Sequence, residues 1–422
     1  MRVSLLLASF LLAAPAATAA ALSSDEQKII AVVDAHRDDF ARDLEQAVAI
    51  DSATENLAGV RQVGELFGHQ LAALGFESRF IVLPASTGRA GHLVAEHRGT
   101  RGQRILLIGH LDTVFPGANY RREGDIVHGA GTGDMKGGDV VMIHALRALQ
   151  TAGLLAEARI IVVMSGDEEA PGTPLAVVRR DLLAAAGRSD LALAFESAID
   201  HTGTVARRGY VGWELEVQGA TGHSSGIFSA AVGSGAVFET ARILSGFYEQ
   251  LRPMDGITCN PALVAGGTQA ELTRTGGTVS GKSNIIAQRT LVHGDLRYLS
   301  AGQLAEARAR MEAVVAKHLP RTSAELRFLD DGYPAMPDSP ENYALLRQLD
   351  QVSRDLGYGE ITAFDPRGRG AGDVAFVSPP LPAIDGLGLG GQGEHTANES
   401  SDLVRAPELV KRTAVLLYRL TR

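Results

Sequence analysis

Cysteine is almost missing from this chain. Cys259 is the only one in 422 residues, so no disulfide can form within it. Basic blocks are missing too: the net charge of −9 is spread along the chain and no run of Lys and Arg stands out. That argues against nucleic acid as a partner and leaves local arginines free to bind small anions. No apolar stretch after the first twenty residues is long enough to span a bilayer. Internal repeats and low-complexity linkers are also lacking.

Residues 1–20 are of another kind. Arg2 gives a positive start, Val3–Leu12 is almost wholly apolar, and Ala17-Thr18-Ala19 supplies small residues for cleavage. This pattern reads as a signal peptide, so the mature protein is expected to be exported, periplasmic or secreted. Export without disulfides requires a sufficient core. A hydrophobic content of 45% with 21% charged residues is consistent with one. The length suggests two to three domains.

From Ser24 to Leu74 apolar residues recur at helical spacing, with Ser23 or Ser24 as cap. Phe80–Leu83, His92–Glu96, Ile105–Ile108, Arg159–Met164 and Leu191–Phe195 read as strands, and Gly138–Thr151 as a helix. This alternation predicts a largely parallel sheet with helices on both faces. The character changes near Arg207. Gly212–Gln218 (GWELEVQ) alternates apolar and polar, the mark of a sheet with one wet face. A helix at Ser229–Leu251, strands at Pro261–Leu272 and Thr290–Tyr298, a helix at Ala301–Leu319 and a strand at Ala324–Phe328 complete a β-α-β-β-α-β order, the ferredoxin-like split motif. The expectation is a discontinuous α/β domain (21–206 and 322–422) interrupted by a smaller α+β domain (207–321).

The stretch Ile105–Pro116 (ILLIGHLDTVFP) organises the rest. Four apolar residues suit a strand covered on both faces, and polar residues at its C-terminal end stand where α/β sheets bind ligands. His110 and Asp112, two apart, leave the same face of extended chain, which suits an imidazole oriented by a carboxylate. Asp134 sits among five glycines in Gly129–Gly138, a segment without the phosphate-loop pattern. Asp167-Glu168-Glu169 follows one apolar strand and Glu196 another, while His395 lies in a second glycine-rich loop. Adjacent carboxylates are costly unless a cation neutralises them. Histidine and carboxylate ligands without thiolates suit zinc, with cobalt or manganese as substitutes. These ligands exceed what one catalytic zinc uses, and two metals would employ them all.

Together, His110-Leu111-Asp112-Thr113-Val114, Gly133-Asp134-Met135-Lys136-Gly137, Gly166-Asp167-Glu168-Glu169, Glu196, Gly222-His223-Ser224 and His395 resemble the co-catalytic zinc hydrolases of the aminoacylase, carboxypeptidase G and succinyl-diaminopimelate desuccinylase family. The resemblance implies a zinc-peptidase-like α/β domain with an inserted ferredoxin-like dimerisation (lid) domain, and two Zn2+ per subunit. It implies that Asp134 bridges the metals, that His110 and Glu196 complete one and Glu169 and His395 the other, and that Asp112 orients His110. Glu168 becomes the general base acting on the water between the metals. His223 reaches the partner subunit's substrate in a homodimer. Asn284 and Arg297, in segments that match the family, bind the substrate carboxylate. In the turn Arg367–Asp373 the chain departs from the family by two arginines. Arg367 and Arg369 are therefore candidate substrate-binding residues, at least one of them expected to point into the cleft and to favour an acidic side chain. The activity implied is hydrolysis of an amide next to a free carboxylate, on a small peptide or N-acyl amino acid. A dipeptidase of the same family, or an inactive metal- or solute-binding protein on this fold, is the alternative.

Overall fold

The computed structural model describes residues 21–273 and 275–422; the signal-peptide segment lies outside the described residues. A capping box of Ser23 with Glu26 opens the first helix. The helical stretch resolves into Ser24–Ala35, Arg37–Val48 and Leu57–Ala73. The central sheet has six strands in the spatial order Glu77–Val82, Gly91–Arg98, Ala158–Ser165, Arg101–His110, Leu191–Ala194, Ala383–Ile384. Its last four strands run parallel. Gly91–Arg98 runs antiparallel to both its neighbours, Glu77–Val82 and Ala158–Ser165; with the first it forms a hairpin, as the short connection between them requires.

The strand Arg101–His110 shows why its apolar run was needed. Ile105 and Leu107 belong to a core shared with the helices Lys136–Thr151 and Ala406–Leu420, whereas Leu106 and Ile108 belong to a second core with Leu182, Val374 and Val377. Successive side chains point to opposite faces, so a strand buried on both must be apolar throughout.

A second, four-stranded sheet lies between residues 209 and 328. Its spatial order is Thr258–Gly267, Arg289–Tyr298, Gly209–Gly219, Thr322–Phe328, antiparallel throughout. In chain order this is 2-3-1-4, the ferredoxin-like arrangement. Val211, Trp213, Leu215 and Val217 face the helices Gly235–Leu251 and Ala301–Val315, and the residues between them face out. The first helix starts six residues later than its periodicity predicts. Gly233 and Gly235 take φ of +74° and +73°, a left-handed turn no helix can continue through. The strand expected over Pro261–Leu272 breaks at Thr268, and Gln269–Leu272 pairs instead with Gly277–Ser280 in a hairpin.

The chain passes between the two sheets twice, and the crossings pair with each other. Arg207 and Met336 exchange both main-chain hydrogen bonds, at 2.9 and 3.1 Å, and Tyr210 pairs with Tyr333. Among the described residues no helix is long and apolar enough to cross a membrane.

Candidate metal centre

Parallel register assembles the site. His110 ends its strand opposite Ser165, so Asp167–Glu169 emerge beside it; Ile108 pairs with Ala194, which brings Glu196 to the same edge. Asp134 comes from the loop before the helix Lys136–Thr151, and His395 from the loop after Gly391–Gln392. This is the carboxyl edge of the parallel strands, where ligands bind in such sheets.

There the Asp134 carboxylate stands between two imidazoles. Its Oδ1 is 3.1 Å from His110 Nε2 and its Oδ2 is 3.0 Å from His395 Nε2. His395 Nε2 is also 3.4 Å from Glu169 Oε2, and His110 Nε2 is 3.9 Å from Glu196 Oε1. Two ligand triplets, His110–Asp134–Glu169 and His110–Glu168–Glu196, each fall within 4.8 Å. The structure therefore brings all five expected metal ligands together, and sets Glu168 against them.

The electrostatics of the group call for a cation. Burial pushes Glu169 up to about 11, helped by Asp134, and raises Glu196 to about 7 against the pull of Arg207. Burial and Glu196 likewise hold Glu168 well above the usual carboxylate range. Burial opposes ionisation of Asp134 too, but hydrogen bonds from His110 and His395 keep its carboxylate well below that range. Protons otherwise carry the charge that a divalent ion would supply. Nitrogen and oxygen donors without a thiolate fit zinc, and a carboxylate with one oxygen toward each histidine fits a bridge.

The supporting contacts are more numerous than the sequence suggests. His110 Nδ1 donates to the main-chain carbonyl of Asp112 at 3.0 Å, and the Asp112 carboxylate stands farther off at 3.5 Å. That carboxylate instead accepts from the N–H groups of Glu168 (3.0 Å) and Glu169 (3.1 Å) and from Thr54 Oγ1 (2.6 Å). Asp112 thus orients His110 chiefly through its backbone and holds the glutamate pair through its side chain. Glu399 accepts from the N–H groups of Gly131, Gly133 and Asp134 at 2.8–2.9 Å, fixing the loop that presents Asp134. Buried Arg207 bonds Asp385 at 2.6 Å and reaches to 3.6 Å from Glu196. Nothing in spacing or periodicity pointed to Thr54, Glu399 or Arg207, whose partners are remote in sequence.

The other expected residues lie elsewhere. His223 is exposed on a turn of the smaller unit, with Nδ1 2.8 Å from Ser225 Oγ. It is bridged to Ile285, and the carbonyl of neighbouring Asn284 accepts from Ser224 N at 2.9 Å. Among the described residues neither side chain bonds to the metal-centre group. Arg297 pairs with Asp295 at 2.9 Å and lies over the Tyr210 ring.

Arg367 and Arg369, expected to bind substrate, are both engaged by partners within the chain. Arg369 is only 8% exposed, donates to Ser197 O (2.5 Å) and Thr204 Oγ1 (3.0 Å), and covers the Phe364 ring. Arg367 is outward and clasped by Asp365. Asp365 caps a short turn and captures the nearer guanidinium, while the glycines let the farther one fold inward. Two sequence patterns also prove accidental. Gly222–Gly226 (GHSSG) spells a nucleophile elbow and Gly276–Ser283 (GGTVSGKS) a phosphate loop, but the first is an exposed turn and the second a β-hairpin. Neither joins a strand to a helix as those motifs require.

Comparison with known proteins agrees with the geometry. The family model described as peptidase family M20/M25/M40 matches residues 106–421. Carboxypeptidase G2 of a Pseudomonas strain is 26% identical over 390 residues, covering 89% of this chain and 88% of that protein. A succinyl-diaminopimelate desuccinylase of Gluconacetobacter diazotrophicus is 26% identical, covering 90% and 96%. Among solved structures, an aminopeptidase of Bacillus cereus superposes with a TM-score of 0.70 at 16% identity, covering 92% of this chain and 99% of that one.

Proposed function

The chain belongs to peptidase family M20/M25/M40 and is a metallo-hydrolase acting on C–N bonds, and from that premise we propose that it cleaves an amide next to a free carboxylate, as a carboxypeptidase or N-acyl-amino-acid deacylase. The observation that carries the proposal is the Asp134 carboxylate shared between His110 and His395, with Glu168 held beside them. His110, Asp134, Glu169, Glu196 and His395 would hold two divalent ions, zinc first. What such ions supply when bound is Lewis-acid polarisation of the scissile carbonyl and a lowered pKa for water.

The remaining work falls to side chains. Glu168, with a pKa raised by burial, takes the proton from the attacking water and returns it to the departing amine nitrogen. Arg297 and Asn284 anchor the substrate carboxylate, a task suited to a guanidinium fork. His223 steadies the oxyanion in the site of a second copy. A second copy docked on the smaller unit has apolar surface to cover: Val237, Phe238 and Tyr248 on one helix and Val264 on the edge strand are exposed. Export is part of this reading and rests on the character of residues 1–20.

A second assignment has an observation behind it, since Glu168 also lies within ligand reach of His110 and Glu196. Glu168→Gln separates the two. As base, its loss leaves metal content near wild type and lowers kcat by at least the 10²–10⁴-fold of general-base catalysis. Loss of one metal equivalent with turnover kept per remaining metal makes Glu168 a ligand instead. A panel of N-acyl amino acids and dipeptides with added zinc identifies the substrate, and no turnover of any member refutes the reading.

A further inference from the structure

Glu168 is held from two directions. Its N–H and that of Glu169 are bound by Asp112. The carbonyl between them accepts at 2.9 Å from the hydroxyl of Tyr333, a residue of the return crossing. The same hydroxyl accepts from Arg179 Nη2 at 2.5 Å. Arg179 is buried and spans Asp167 (2.5 Å) and Asp373 (2.9 Å), with its guanidinium over the Tyr333 and Phe376 rings.

The main chain of Tyr333 belongs to the other unit. Its carbonyl accepts from Tyr210 N at 3.0 Å and from the Tyr298 hydroxyl at 2.9 Å, both on strands of the second sheet. Its ring stacks on Tyr210 with centroids 5.7 Å apart and planes 19° apart. The Tyr210 ring also carries the Arg297 guanidinium, 5.0 Å from its centroid. An unbroken set of contacts thus runs from Arg297 through Tyr210 and Tyr333 to the peptide that carries Glu168.

We propose that Tyr333 is a positioning residue that makes the placement of Glu168 depend on the seating of the smaller unit and on engagement of Arg297 by the substrate carboxylate. The inference rests on the reading of Glu168 as base. A stacked pair and a short hydrogen bond transmit displacement because packed groups yield little to compression. An error of about 1 Å at a catalytic group is enough to cost on the order of 10²-fold in rate.

Tyr333→Phe keeps the ring and removes the hydroxyl, and Tyr210→Leu keeps the hydroxyl and removes the stack. Both are assayed on the N-acyl amino acid turned over fastest in the panel. Each is expected to lower kcat about ten- to hundredfold, with KM and metal content within about twofold of wild type. Arg297→Ala should then cost less in kcat on the Tyr333→Phe background than on wild type. An unchanged kcat, a kcat loss matched by metal loss, or strict additivity with Arg297→Ala overturns the proposal. Glu168→Gln alongside separates the failures. Full activity there removes the base assignment and this inference with it. An inactive Glu168→Gln with a fully active Tyr333→Phe removes only the role given to Tyr333.

Discussion

Asp112→Asn tests the division of labour around the glutamate pair. Oδ1 takes the Glu168 N–H and faces His110 Nδ1 at 3.5 Å; Oδ2 takes the Glu169 N–H and the Thr54 hydroxyl. An asparagine of the same shape has one accepting oxygen, so its NH2 group must oppose one of these sets. Opposing Oδ1's set confronts two fixed donors. Opposing Oδ2's set confronts one, because the Thr54 hydroxyl can turn and accept. The second orientation therefore wins and strands the Glu169 N–H against the fully buried side chain of residue 112. A buried unpaired donor costs about 1–3 kcal/mol, read as a lowered midpoint in denaturation of the metal-free protein. Loss of a contact behind a metal ligand costs about 10–100-fold in affinity. The loss should fall on the metal held by Glu169 and His395, since His110 Nδ1 still has the Asp112 carbonyl at 3.0 Å. Stepwise zinc titration should show one weakened site and one near wild type. Equal weakening of both sites, or unchanged stability and affinity, refutes the assignment.

Three further outcomes follow from the same geometry. In the metal-free protein Glu169 and Glu196 stand at about 11 and about 7, above their ordinary 4.5, so the folded chain binds more protons than the unfolded one. Their contribution to stability is full below about pH 4.5 and is lost as pH rises through the folded values. Thermal melts after chelation should fall from pH 5 to 8, zinc should flatten the fall, and calorimetry in buffers of different ionisation enthalpy should show protons released on binding. Glu399→Gln, leaving one of three loop N–H groups facing an NH2, should weaken zinc about 10–100-fold while leaving the small-unit fold intact; unaltered affinity by dialysis and metal analysis contradicts it. His223→Ala should lower kcat about 10²–10³-fold at constant metal content. Mixing it with Glu168→Gln should restore activity in exchanged dimers, and no recovery in proven heterodimers removes the cross-subunit role.

What could be read from the sequence was what depends on local pattern. The run Ile105–Ile108 declared a strand buried on both faces, and both cores bear that out. GWELEVQ declared a sheet with one open face and lies in one. The acids and imidazoles that end such strands could be picked out because strand ends in parallel register converge by construction. Contacts made by single residues from distant loops had no such signature. Glu399 lies 265 residues from the Asp134 N–H it binds, and Arg207 lies 178 from Asp385. The arginines of the Arg367 turn were hard to place for the opposite reason. Their proximity to the site in sequence pattern was sound, but a guanidinium on a glycine-flanked turn can fold in as readily as out, and only packing against Phe364 and Ser197 decides it.

The buried arginines explain why the centre needs its cation. Arg179 lies between Asp167 and Asp373, and Arg207 between Asp385 and Glu196. Each is almost wholly buried, and pairs of this kind repay little more than their own desolvation. Their value is geometric: Arg179 fixes the turn before Glu168, and Arg207 reaches Glu196, two residues beyond the strand Leu191–Ala194. Both spend their charge on aspartates behind the site, so Glu168, Glu169 and Asp134 gain little from them. Glu196, the one acid of the centre within 3.6 Å of an arginine, is also displaced less than Glu169, to about 7 against about 11. A carboxylate near a buried cation stays closer to its ordinary range, and one without it binds a proton until a metal displaces it. Metal binding on the Glu169–His395 side is therefore expected to release a proton over a wider pH range than on the Glu196 side.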